Sequence, residues 1–247
     1  MIYIFVFLFS SLFTSFYTVV GTRLPKKQSI LGHSQCDNCN QPIPWYGIIP
    51  LLGWFLVKGK CSNCKNKVSI KYPIYELLGG LLITYVYYIY QDNLVEFVIA
   101  AIFISLMIIV TVSDIEYQIV PDKILIIFLP TVFILRMIYP MHTWIDALFG
   151  GILAFTFMYF LAWYGKYRFK QDALGGGDIK LYFIIGLFLG LRLVFMSLFF
   201  ASLLGIILGR SILRKNNPIP FVPFIFLGVL ITYFFGVRIL EWYASLL

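Results

Sequence analysis

Eight stretches of the chain are predominantly apolar: 1–20, 72–90, 94–112, 124–139, 145–164, 179–191, 193–209 and 221–240. Apolar and polar positions do not alternate within them, so they predict helices and not barrel strands. About 20 apolar residues cross hydrocarbon as a helix, which closes its own backbone hydrogen bonds where no water can. The sixth and seventh stretches are short and meet at Leu191-Arg192, so one broken or re-entrant helix is the alternative there. One sizeable polar segment, 21–71, separates the first two stretches. The pattern predicts an all-α polytopic membrane protein with about eight transmembrane helices and a small insert after the first. The corresponding parts are a first helix at 1–20, the insert at 21–71 and a membrane domain at 72–247.

Composition sharpens this picture. Hydrophobic residues make up 61% of the chain, charged ones 12%, and the mean hydropathy is +0.90. An ordinary soluble domain is about 25% charged. If the amino terminus is outside, the inward segments hold 16 of the 19 basic residues, including Lys123, Arg210, Arg214 and Lys215, and leave Arg136, Arg192 and Arg238 outside. That asymmetry is what the positive-inside rule describes, and it accounts for the net charge of +8 without a nucleic-acid partner. Both termini are therefore expected on the extracytoplasmic side of the membrane, with the insert inside. The first stretch has no basic residue before it and several after it, so it is expected to stay as an anchor and not to be cleaved as a signal peptide.

The insert holds all four cysteines, as Cys36-Asp37-Asn38-Cys39 and Cys61-Ser62-Asn63-Cys64. Two C-x-x-C knuckles at this spacing match a zinc ribbon in which four thiolates enclose one tetrahedral ion. Disulfide pairing, disfavoured in a reducing compartment, and four idle thiols are the competing outcomes. Four thiolates leave no open position for substrate, so the zinc is expected to be structural and to supply folding energy to a segment with little core. His33 is expected to be solvated, and His142 carries no role.

Among the acids, Asp114 and Asp178 stand at the ends of apolar stretches, where a charge is costly and points to function. Asp114 opens a polar break that runs to Pro121-Asp122. Glu116 and Asp122 are expected only to solvate and cap that loop. Asp178 follows Gly175-Gly176-Gly177, which offer unusual backbone freedom and room for another chain to lie alongside. A linker ending in an aspartate N-cap is the plainer alternative.

Together, Gly175-Gly176-Gly177-Asp178-Ile179-Lys180-Leu181, Asp114 with Pro121-Asp122, and the cysteine insert resemble the type IV prepilin peptidases, membrane aspartic peptidases of the G-x-G-D kind. Pro44-Trp45-Tyr46, Ile49-Pro50, Gly59-Lys60-Cys61 and Lys71-Tyr72-Pro73-Ile74-Tyr75-Glu76 add to the likeness, as do Ser15-Phe16 and Arg23-Leu24-Pro25. The chain departs from that pattern at Asp37, near Thr18 and at Lys71.

The resemblance implies a catalytic pair, Asp114 and Asp178, and a substrate groove at Gly175, Gly176 and Gly177. It implies prepilin or pseudopilin substrates cut after a short basic leader, and no metal in the cutting step. It further implies N-methylation of the new amino terminus by S-adenosylmethionine, with Gly59, Lys60 and Glu76 as cofactor contacts; no G-x-G-x-x-G stands in a strand-to-helix setting. A transporter that uses Asp114 and Asp178 as proton or cation ligands is the alternative from a different class. A non-enzymatic scaffold of pilus machinery is a third.

Overall fold

The computed structural model describes residues 1–36, 38–170, 174–212 and 219–246, with the side chains of 210–212 excepted. Asp37, Arg214, Lys215 and the side chain of Arg210, all used above, lie outside the described residues. Every apolar stretch becomes a helix: α1 Ile2–Arg23, α3 Lys71–Ile89, α4 Leu94–Tyr117, α5 Asp122–Ile138, α6 Trp144–Phe169, α7 Gly176–Leu189, α8 Leu191–Ile212 and α9 Val222–Ala244. The insert adds the short α2, Leu52–Leu56. Among the described residues there is no strand, only isolated bridges at Gln35–Pro42 and Lys60–Lys67.

Five helices are long and apolar enough to cross a membrane by length and composition: α1, α4, α6, the 191–209 part of α8, and α9. The other three long helices, α3, α5 and α7, fall short of that measure. At 1.5 Å per residue, the 14 residues of α7 extend only about 21 Å, against about 30 Å of hydrocarbon. The reason lies in its surroundings. From Ile184 to Leu189 every residue of α7 is buried, and the helix packs on α5, α6, α8 and α9. A helix that is apolar all round is an interior helix, and one enclosed by protein does not have its length set by the bilayer.

Compactness divides the chain into two units, Met1–Val112 and Ser113–Leu247, with the boundary inside α4. In the first unit α1 and α3 run side by side. A Cβ at Gly79 or Gly80 would strike Thr14 or Ser11, so these glycines set the close approach. Gly21 does the same against the Ile109 carbonyl of α4.

In the second unit Gly186 of α7 and Gly150 of α6 meet backbone to backbone, and Gly228 of α9 meets Ser197 and Ala201 of α8. The sixth and seventh stretches are two separate helices. Gly190 between them has φ 77, a conformation that suits glycine. A Cβ there would also strike the Asp146 carboxylate and the His142 ring.

The polar break after the third stretch begins later than expected. Helix α4 continues through Asp114 to Tyr117, and Gln118, at φ 56, donates its N–H to the Asp114 carbonyl at 2.9 Å. Ser113 then donates its hydroxyl to the Ile119 carbonyl at 2.5 Å. These local bonds outweigh the polarity of Asp114-Ile115-Glu116 and keep the aspartate in the last helical turn, where its backbone is fixed.

The α6–α7 crossing has a direct test. Gly186→Val forces a branched side chain into the Gly150 backbone and is expected to destabilise the protein by about 1–3 kcal/mol. Thermal unfolding of the full chain in detergent should show the lowered midpoint, and an unchanged midpoint would contradict the crossing.

Candidate active site

Asp114 and Asp178 are both buried, and both belong to the second unit. Asp114 sits in the final turn of α4. Its Oδ2 accepts the N–H of Val222 at 2.9 Å, and Val222 is the first residue of α9. A helix start offers unpaired N–H groups and the positive end of the helix dipole, a favourable place for a carboxylate. Asp178 sits in the first turn of α7, where its own N–H is held by the Gly175 carbonyl at 3.1 Å. Val120, in the connection that follows Asp114, packs against Gly177, the residue just before Asp178, so the two acids stand where the same chain segments meet. The end of one helix and the starts of two others thus bring together acids 64 positions apart in the sequence (178 − 114).

Of the two things expected of the three glycines, the unusual backbone conformation is not seen. None has a positive φ: Gly175 lies at φ −69, and Gly176 and Gly177 are helical. Their value is space. A Cβ on Gly177 would press into Val120 at 2.5 Å, one on Gly175 would lie 3.4 Å from the Asp178 carboxylate, and one on Gly176 would meet nothing within 4 Å. Gly177 is therefore filled by the α4–α5 connection, and only Gly176 faces open space. Beside the site, Phe221 lines an open apolar cavity of about 320 Å³ with Ser202, Gly205, Ile206, Ile219 and Phe224.

One pair was missed in the sequence. Lys180, two residues beyond Asp178, reaches Asp122 at the start of α5 with Nζ–Oδ1 at 2.7 Å. Both side chains are exposed, so the pair contributes at most about 1 kcal/mol to stability. With the Gly177–Val120 contact it fastens the start of α7 to the connection that follows Asp114. Asp122 read as a helix-start residue, which it is, but a partner 58 positions away leaves no local signal. The Val222 N–H was equally invisible, because any residue there supplies one.

The insert gathers its cysteines. The four Sγ atoms lie within 4.8 Å of one another, with Cys36–Cys64 at 3.8 Å and Cys39–Cys61 at 3.9 Å. A tetrahedral ion with zinc–sulfur bonds of about 2.3 Å requires sulfurs about 3.8 Å apart, so this donor set fits zinc. All four are free thiols, so the disulfide alternative does not hold. His33 is not part of the cluster.

The two knuckles share one local plan at an offset of 25 residues. Cys36 and Cys61 donate their N–H to Gln41 and Asn66 and accept from Asn40 and Lys65, and both of these last residues have positive φ. The knuckle N–H groups aim at sulfur. Those of Cys64 and Asn63 draw the Cys61 thiol down from 9.0 to about 6. At Cys39 the Gln41 N–H also acts downward, but burial and the neighbouring sulfurs prevail and push it up to about 11.

Gly59 and Glu76 already have other partners. Gly59, at φ 61, lies under the Trp54 ring, which a Cβ would strike at 2.7 Å. Lys60 stands in the bridge to Lys67. Glu76 Oε2 accepts the Leu51 N–H at 2.7 Å. Leu51 itself occupies a strained γ-turn, at φ 65 and ψ −56, closed by the Leu52 N–H on the Pro50 carbonyl at 2.7 Å.

Residues 8–90 match the bacterial peptidase A24 N-terminal domain, and residues 101–210, which include both aspartates, match the type IV leader peptidase family. A prepilin leader peptidase/N-methyltransferase of Bacillus subtilis is 34% identical over 246 residues, 97% of each chain. One from Vibrio cholerae is 30% identical over 96% of this chain and 99% of its own. One from Myxococcus xanthus is 32% identical over 87% of this chain and 64% of its own. No solved structure matches the chain at a significant level. With matches that run nearly end to end, the chain belongs to the type IV leader peptidase family.

Proposed function

We propose that this protein cleaves the leader from prepilin-type proteins at the membrane edge, with Asp114 and Asp178 as its catalytic pair. The observation that carries this is the placement of two buried carboxylates at helix ends, Asp114 in the last turn of α4 and Asp178 in the first turn of α7, with the connection after Asp114 packed on Gly177. Two such groups cannot both ionise cheaply, so they hold one proton between them. The ionised member takes a proton from water as the water oxygen bonds to the scissile carbonyl carbon. The protonated member supports the developing oxyanion. Collapse breaks the carbon–nitrogen bond, and the proton passes to the leaving amine. The substrate strand lies past Gly176, where space is open, and the apolar residues after the cut enter the cavity beside Phe221.

The positive-inside balance supports an amino terminus outside, with the insert and both aspartates at the cytoplasmic face. Eight helices then cross or enter the membrane, and the region 72–247 is the peptidase part. The four cysteines hold a structural zinc, which takes no part in cutting. The names of the relatives support N-methylation of the new amino terminus as a second activity, with S-adenosylmethionine as methyl donor. No support exists for a transporter, and both acids stand at helix ends and not mid-helix.

Purified protein in detergent should clip a prepilin-like peptide, and with S-adenosylmethionine the product amino terminus should gain one methyl group by mass. Asp114→Asn and Asp178→Asn should each lower kcat by at least about 10²-fold with the fold intact. Full activity in either variant would refute the pair. Lys180→Met and Asp122→Asn should lower kcat with KM unchanged, and exchanging the two charges should restore much of it. Failure of the exchange to rescue would deny the pair a positioning role. Elemental analysis should find about one zinc per chain, falling in Cys36→Ser, and metal-free wild-type protein would overturn the zinc assignment.

A further inference from the structure

The insert carries an apolar face that nothing in the described structure covers. In α2, Leu52, Phe55 and Leu56 are 61%, 65% and 56% exposed. Their spacing of i, i+3 and i+4 puts them on one side of the helix. The opposite side is occupied, because Gly53 is buried against Gly47 and Trp54 donates its ring N–H to the Val68 carbonyl at 3.0 Å. Trp45, just upstream, is 78% exposed and meets only the edge of Tyr46 in an aromatic contact. Exposed apolar faces of this kind mark an interaction surface.

We propose that this face, Trp45 with Leu52, Phe55 and Leu56, rests in the headgroup layer of an acidic lipid bilayer. Depth is the first reason. The Leu51 N–H, which immediately precedes α2, is held by Glu76 five residues into α3. At 1.5 Å per residue that anchor lies about 7–8 Å along α3 from its first residue, Lys71. Helix α3 runs beside α1, with Gly79 and Gly80 on Thr14 and Ser11 and with Tyr87 near Tyr3, so Lys71 lies toward the same end as Arg23. Helix α1 is one of the helices able to span. Its end therefore puts α2 at the membrane boundary, where an interfacial helix buries its apolar face about 5–10 Å deep.

Charge is the second reason. Segment 21–71 has eight basic residues and one acid, Asp37. Lys26, Lys27, Lys58, Lys60, Lys65 and Lys67 are exposed, and Lys58 and Lys60 follow α2 directly. A basic rim around a tryptophan, phenylalanine and leucine face is the chemistry of an acidic lipid surface. A protein partner would need to match that charge and also reach the base of α3. This inference does not depend on the peptidase assignment.

Full-length protein is reconstituted in vesicles of phosphatidylethanolamine and phosphatidylglycerol whose acyl chains are brominated near the headgroup. The Trp45 fluorescence is the difference between wild type and Trp45→Phe, an exposed position whose change spares the fold. Quenching of that component by the brominated lipid, with little quenching by aqueous iodide, supports the proposal. Strong iodide quenching with no lipid quenching, as for a face in water, or little quenching by either, as for a face held against another protein, would overturn it. Replacing phosphatidylglycerol by phosphatidylcholine should reduce the lipid quenching by about half. Unchanged quenching would overturn the acidic preference.

Discussion

Two carboxylates inside a bundle of apolar helices need compensation for the water they have lost, and the arrangement around them follows from that need. Asp114 takes the N–H of Val222, an unpaired donor at the first residue of α9, so the start of α9 must lie against the last turn of α4. Asp178 stands at the start of α7, so that helix must begin beside the same place. The ends of three helices converge because the acids sit at those ends. An acid in mid-helix would meet neither a free N–H nor water.

The packing makes that convergence possible. Helix α7 is short and buried, held among α5, α6, α8 and α9 by backbone contacts that glycine permits at Gly150, Gly186 and Gly228. Small residues serve this purpose where helices lack a hydrophobic driving force between them. The exposed ion pair of Asp122 and Lys180 adds little stability, yet it ties the connection after Asp114 to the helix that carries Asp178. The cysteine knuckles of the first unit answer a different problem. Their segment has little core, and four sulfurs within 4.8 Å of one another form a donor set on which a metal ion would give it one.

Much of this was legible in the sequence. Continuous apolar runs gave all eight long helices, and the C-x-x-C spacing gave a donor set whose sulfurs do meet. Less visible were features that depend on backbone or on distant pairs. The helix containing Asp114 ends at Gln118 because of a left-handed residue and two hydrogen bonds, which the polarity of the segment does not encode. The glycines before Asp178 signalled both freedom of φ and room; none has a positive φ, and Val120 takes the room at Gly177 while the space beside Gly176 stays open. Span number was less legible, because α3, α5 and α7 fall short of the spanning measure and α7 is packed among other helices and need not match a bilayer.

The central claim is that Asp114 and Asp178 titrate as one unit. The most direct measurement is the rate of prepilin peptide cleavage as a function of pH at saturating and at low substrate. A coupled pair predicts a bell-shaped profile of kcat/KM, with two apparent ionisations that belong to the pair and not to either residue. A profile with a single ionisation and a plateau would mean that only one carboxyl takes part, and would contradict the account.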